Sequence, residues 1–269
     1  MKQRTTFLHI VLASMFSCGF LSRADDHSPV LSPGSRCIIT FTDLPPTFHS
    51  LAKKREAPAR MAIYLPRNYD RSKKHPLLVF LNGGDGGDGS ALGVAQGITG
   101  QQDFVCVNMP LFRTPGYQPT KPGSPGGNFI ITEPDGRAMW PHFKTMLEKL
   151  EALVPNLDPK HRVIGGSSNG AHSIAALIDG SDGEVCKRFS AFLFVEGGGK
   201  LVHYEHLKGK LFMMVSSQSK SQPRALEITE QAGAAGARTT FLLQDVGAHG
   251  FPEAAYPKVM AWLRGPVLE

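Results

Sequence analysis

Residues 165–172, GGSSNGAH, stand between the apolar run HRVI and the helix-like SIAALIDG. A plain strand-to-helix turn needs only one glycine or one capping serine. This one carries Gly166, Ser168 and Gly170 in Gly-x-Ser-x-Gly spacing. That spacing suits a sharp, strained turn that lifts a serine hydroxyl clear of a sheet, at the N-terminus of a helix, as a nucleophile. The two glycines keep neighbouring backbone from colliding with the turn. Ser167 is the competing hydroxyl, but it lacks glycines two residues to either side. The alternative for Ser168 is a purely structural N-cap.

A second glycine cluster, LNGGDGGDG at 81–89, follows the apolar run PLLVFLN. No Gly-Lys-Ser/Thr follows it, so it is not a phosphate-binding P-loop. Its near-match to a calcium-binding nonapeptide fails because Ser90 stands where a large apolar residue belongs and no stacked copies exist. What fits is a glycine loop at a strand end, where unobstructed backbone N–H groups can hold a developing oxyanion. Gly83 and Gly84 are both candidates, and a merely flexible connection is the rival reading.

Around these stretches, short β-rich runs alternate with helical patterns. Strands are expected at 37–43, 60–66, 76–82, 104–109, 161–165, 189–196, 210–217 and 239–246. Helices are expected at 139–154, 169–179, 223–236 and 252–265. Several strands are almost continuously apolar, as in a parallel sheet covered on both faces. The alternation predicts an α/β class with one mostly parallel sheet of about eight strands and helices on both faces. Residues 111–137 are too rich in proline and glycine for a core element. Phe112, Tyr117 and Phe129 make them a candidate lid or substrate-binding wall, with a mobile surface excursion as the equal alternative.

The chain resembles an α/β-hydrolase, and within that superfamily it is similar to secreted feruloyl-esterase and polyhydroxybutyrate-depolymerase-like serine esterases. The resemblance covers roughly residues 55–265. It rests on YLPRNY before a strand, LLVFLNGG, LDPKHRVIGGSSNGAHSIAAL and GAHGFP. It implies Ser168 as nucleophile and His249, after the last strand and flanked by Gly247 and Gly250, as its base. It also implies an oxyanion hole from the N–H of Asn169 with Gly83 or Gly84. His172, one helical turn after Ser168, leans towards the same place and suits a supporting role. The family's acid follows the seventh strand, yet this chain has MMVSSQSKSQP there, without Asp or Glu. Glu196, closing FLFVEGGG, is the foremost substitute. Asp245 is the second, and a Ser/Gln stand-in or no acid at all is the third.

The implied activity is hydrolysis of carboxylic esters through an acyl-enzyme, with no metal or organic cofactor. Acylated polysaccharides, short polyesters and small esters are the substrate classes. A non-catalytic binding protein of the same fold and a small-peptide serine peptidase are the alternatives. His203 and His206, in HYEH, lack a nearby third ligand in sequence and are expected on a solvated turn rather than around a metal.

Bulk properties fit export. Lys2 and Arg4, the apolar FLHIVLASMFSCGFL, and the small residues Ser22 and Ala24 form a secretory signal pattern over 1–24 with cleavage before Asp25. An uncleaved anchor is the rival, and lipidation at Cys18 is disfavoured by Phe16. Residues 25–35 are expected as a flexible lead-in and 36–269 as one domain, secreted or periplasmic, with no stable membrane insertion after cleavage. Losing three basic residues lowers the formal net charge from +6 to +3. That mild excess, without long Lys/Arg runs, argues against nucleic acid as a partner. Cys37, Cys106 and Cys186 are too few and too widely spaced for a disulfide framework. One bridge or three buried thiols are the options.

Overall fold

The computed structural model describes residues 32–44, 58–84, 89–111 and 132–269. The signal segment, Phe112, Tyr117 and Phe129 lie outside the described residues. Eight strands form one sheet in the order β1-β2-β4-β3-β5-β6-β7-β8. They are β1 (Arg36–Phe41), β2 (Ala59–Tyr64), β3 (His75–Leu81), β4 (Val105–Met109), β5 (Leu157–Ser167), β6 (Ala191–Val195), β7 (Leu211–Ser216) and β8 (Arg238–Leu243). β1 and β2 pair antiparallel, and β2 pairs antiparallel with β4. All other pairs are parallel.

The continuous burial expected for central strands arises because alternate residues feed two separate cores. Val79, Ile164, Phe192, Phe212 and Met214 face one core. There they meet α2 (Glu133–Leu153), α3 (Asn169–Gly180) and α5 (Gln222–Ala234). Phe80, Val163, Leu193, Met213 and Val215 face the other, covered by α1 (Gly93–Thr99) and α6 (Tyr256–Arg264). Period-two alternation on a doubly covered sheet leaves no polar face, so the strands read as unbroken apolar runs.

α2 begins at Glu133, six residues before the expected start. Thr132 and Asp135 form a capping box, and Pro134 occupies the first turn, where its missing N–H costs nothing. Gly136 is helical for a packing reason. A Cβ there would lie 1.8 Å from the Ala176 carbonyl oxygen, and one at Gly180 would lie 2.2 Å from the Arg137 nitrogen. α2 and α3 therefore meet backbone to backbone. α1 and the short α4 (Glu184–Arg188) lie outside the expected helices, being too brief to show an amphipathic period.

Cys106 and Cys186 are buried and Cys37 is partly buried, all as free thiols. Burial pushes the Cys106 and Cys186 thiols up to about 12. The bridge option is thus replaced by packed thiols.

Candidate active site

The carboxyl ends of the parallel strands carry every candidate group among the described residues. Ser168 follows β5 directly with φ +51°, outside the usual range for a non-glycine residue. Its N–H donates to the Val195 carbonyl at 2.8 Å, and its own carbonyl accepts the His172 N–H at 3.0 Å. The strained conformation is thereby fixed from the neighbouring strand and from the first turn of α3. The glycines at ±2 are steric requirements. A Cβ on Gly166 would lie 2.5 Å from the Gly170 carbonyl carbon, and one on Gly170 would lie 2.0 Å from the Leu81 carbonyl oxygen. Ser167, the rival serine, is buried at the end of β5.

His249 sits in the loop between β8 and α6, 55 % exposed. Its Nε2 is 2.8 Å from the Ser168 Oγ. Its Nδ1 is 3.4 Å from Glu196 Oε2. With the carboxylate beside Nδ1, the proton belongs there, leaving Nε2 free to accept from the serine hydroxyl. Ser217 Oγ donates to the Ala248 carbonyl at 2.9 Å and anchors the loop one residue before the imidazole.

Glu196 follows β6 with φ +52°, the second strained non-glycine position at this edge. Its N–H donates to the Val215 carbonyl at 3.0 Å, and its side chain is only 2 % exposed. Burial alone would raise its pKa. Donors from Ser217 N–H and the Ser221 and Ser216 hydroxyls outweigh that and hold the carboxyl below its ordinary range. Ser216 Oγ donates at 3.0 Å and Ser221 Oγ lies 2.9 Å from both carboxylate oxygens. Ser221 is the N-cap residue of α5, yet its hydroxyl serves Glu196 instead of the helix. The segment after β7, which has no acid of its own, thus supplies the hydroxyls that hold an acid from the end of β6.

Asp245 is engaged elsewhere. Its carboxylate accepts from the Gly247 N–H at 2.9 Å and from the Ser219 hydroxyl, and those donors lower its pKa. Of the two acids the sequence offered, Glu196 is the one beside the imidazole.

The glycine loop after β3 reaches the same corner. A Cβ on Gly83 would lie 3.2 Å from the Ser168 Cβ, and Gly84 has φ +64°. Asn169 Nδ2 donates to the Gly84 carbonyl at 2.8 Å. Asn169 was expected for its backbone N–H alone. Its side chain also ties the glycine loop to the start of α3, a contact across 85 residues that no local pattern reveals.

His172 accepts the Gly198 N–H through Nδ1 at 3.2 Å. Burial, then the charges of Lys200 and His249, hold its pKa down, so the ring is neutral with its proton on Nε2. At HYEH the structure departs from the expected solvated turn without a third ligand. Glu205 does supply a third group, and ligand atoms of His203, Glu205 and His206 lie within 4.8 Å of one another. His203 pairs with Glu205 at 3.0 Å and His206 with Asp182 at 3.9 Å, forming a surface charge cluster.

Neither a family sequence model nor a curated protein matches the chain. Solved structures do. A thermostable esterase aligns with TM-score 0.57 at 15% identity, over 85% of this chain and 62% of the other. The chain therefore spans less than two thirds of that protein's length. A fungal esterase from Rhizomucor miehei aligns with TM-score 0.56 at 13% identity, over 88% and 86%. A carboxylesterase from Mesorhizobium loti aligns with TM-score 0.54 at 16% identity, over 85% and 99%. Together with the strand order, this decides the architecture. The chain has the α/β-hydrolase fold. At such identities the likeness speaks for the fold alone, and the chemistry of this α/β-hydrolase-fold chain must come from its own residues.

Proposed function

We propose that the chain is an exported serine hydrolase that cleaves carboxylic esters through an acyl-enzyme. The observation that carries this reading is the hydroxyl–imidazole–carboxylate array: Ser168 Oγ 2.8 Å from His249 Nε2, with Glu196 on the ring's far nitrogen. The esterases among the solved structures of this fold support it.

In the proposed reaction His249 Nε2 takes the Ser168 proton as Oγ bonds to the ester carbonyl carbon. Negative charge gathers on the former carbonyl oxygen, served by the Asn169 N–H at the head of α3 and a Gly83 or Gly84 N–H. Glu196 keeps the proton on Nδ1 and stabilises the imidazolium. The bond to the leaving alcohol breaks and His249 gives that alcohol its proton. Water then enters, loses a proton to His249 and attacks the acyl carbon. Oγ departs with the proton, and the carboxylic acid leaves. No step calls on a metal or organic cofactor.

Acylated or feruloylated polysaccharides, short polyesters and small esters are the substrate classes, with residues 111–137 choosing among them. The non-catalytic alternative drew on the lack of an acid after β7. The Glu196–His249 pair favours the catalytic reading over it. Among the described residues no helix is long and apolar enough to cross a membrane. Export rests on the signal pattern of 1–24, and protein recovered outside the cytoplasm should begin at Asp25. The activity test is turnover of short p-nitrophenyl esters beside small peptide amides. Wild type should release p-nitrophenol and Ser168→Ala should not. Equal rates for the two would overturn the reading.

A further inference from the structure

A cavity of ≈ 360 Å³ opens beside the His249 ring, between the loops after β6 and β7 and the first turns of α5. Its wall is apolar where it is deep: Met214 of β7 and Ala225 and Ile228 of α5, all buried. Its rim is cationic. Lys220 and Arg224, both exposed, line it. Lys200 lies outside the lining, but near enough to His172, which does line it, to depress that ring's pKa.

The Lys220 charge is not spent internally, and that of Arg224 is shared with Glu227 alone. Lys220 has no hydrogen bond or ion pair with any described residue. Arg224 uses one arm on Glu227 at 2.5 Å and another on the Gly199 carbonyl. That fixes the guanidinium while leaving most of its five N–H donors unused. The single carboxylate among the described lining residues is Glu196, already held by Ser216, Ser217 and Ser221. The first turn of α5 carries no acidic residue, although a helix N-terminus favours one. Neutral His172 adds an Nε2–H donor. An unpaired Lys220, the spare N–H donors of Arg224 and a neutral His172 thus border an apolar slot that adjoins the proposed base.

We propose that this slot is a specificity subsite for an oxyanion carried on the ester, with an apolar spacer separating it from the scissile carbonyl. The proposal rests on the hydrolase reading of Ser168 and His249 and names the substrate class that site prefers. Met214, Ala225 and Ile228 take the spacer, while Lys220 and Arg224 take the anion. An Arg–carboxylate pair with a desolvated flank is the strong kind of charge-assisted bond. Charge complementarity also raises the encounter rate, in a salt-dependent way. The oxyanion can belong to the acyl part or to the alcohol part, and two substrate pairs separate these sources.

The test compares mono-p-nitrophenyl glutarate with p-nitrophenyl valerate for the acyl side. For the alcohol side it compares 4-carboxyphenyl acetate with phenyl acetate. Each rate is normalised to its own hydroxide-catalysed rate. Wild type should favour the charged member of at least one pair by about tenfold in kcat/KM at low salt, and less at high salt. Lys220→Glu, checked for normal thermal unfolding, should lower that ratio by about tenfold or more. A wild type blind to charge in both pairs, or a preference that survives Lys220→Glu, overturns the subsite. Should no ester in either pair be turned over, the hydrolase reading fails. The subsite is then judged separately by calorimetric binding of glutarate. Binding to wild type that Lys220→Glu abolishes upholds it, and no binding to wild type overturns it.

Discussion

Replacing Glu196 by Gln keeps the side chain's size and removes its charge. The carboxylate is 2 % exposed and 3.4 Å from His249 Nδ1. For unit charges at that separation and an effective dielectric near 20, the attraction to a developing imidazolium is about 5 kcal/mol. The ring is 55 % exposed, and solvent on that side trims the value to about 3–5 kcal/mol. Tautomer control adds to this loss. Oε1 receives the Ser216 hydroxyl and the Ser217 N–H. A Gln must place its lone oxygen there, which turns its NH₂ towards Nδ1. The ring then carries its proton on Nε2 and cannot accept one from Ser168. The expected fall in kcat/KM on a p-nitrophenyl ester is about 10³- to 10⁴-fold. Thermal unfolding should show a cost of only about 1–3 kcal/mol for the weakened donors. A folded variant within tenfold of wild type would refute the assignment of Glu196.

Ser221→Ala removes a donor that lowers the Glu196 pKa. A depressed carboxylate stabilises the fold above its ordinary pKa, and that stability is lost as pH falls through the folded value. The variant should therefore be about 1 kcal/mol less stable at pH 7 in urea melts, with the gap closing below pH 4. His172 is also depressed, by burial first, so wild type should lose stability as pH drops from about 6.5 through the lowered folded value. His172→Gln should flatten that slope, measured by denaturation at pH 7 and pH 5. Gly170→Ala drives a methyl onto the Leu81 carbonyl and should cost about 3 kcal/mol or prevent folding. Asn169→Ala frees the Gly84 carbonyl from its tether. It should lower kcat about tenfold with little change in KM, if the glycine loop serves the transition state.

The central strands were legible because doubly covered parallel strands leave apolar runs, and the edge strands β1 and β8, only partly buried, were legible from their β-branched and aromatic residues. The helices were legible only where amphipathic spacing was uninterrupted. Gly136 and Pro134 disguised the first turn of α2, since close packing on Ala176 and a first-turn proline look like loop chemistry in one dimension. Ser168 and His249 stood out because local glycines mark both. Glu196 was one of two acids in contention, since a carboxylate at a strand end carries no local sign of its partner. What selects it are hydroxyls 20 to 25 residues away, Ser216 and Ser221. In sequence these two looked like the place where an acid was missing. The side-chain tether of Asn169 was likewise unreadable, because its acceptor is a backbone oxygen on another strand's loop.

Covalent capture by a fluorophosphonate probe, read by intact mass and peptide mapping, tests the hydroxyl–imidazole pair most directly. The predicted result is a single adduct on Ser168, formed much more slowly in His249→Ala and absent in Ser168→Ala. An adduct on another residue, or equal labelling of wild type and Ser168→Ala, would contradict the account.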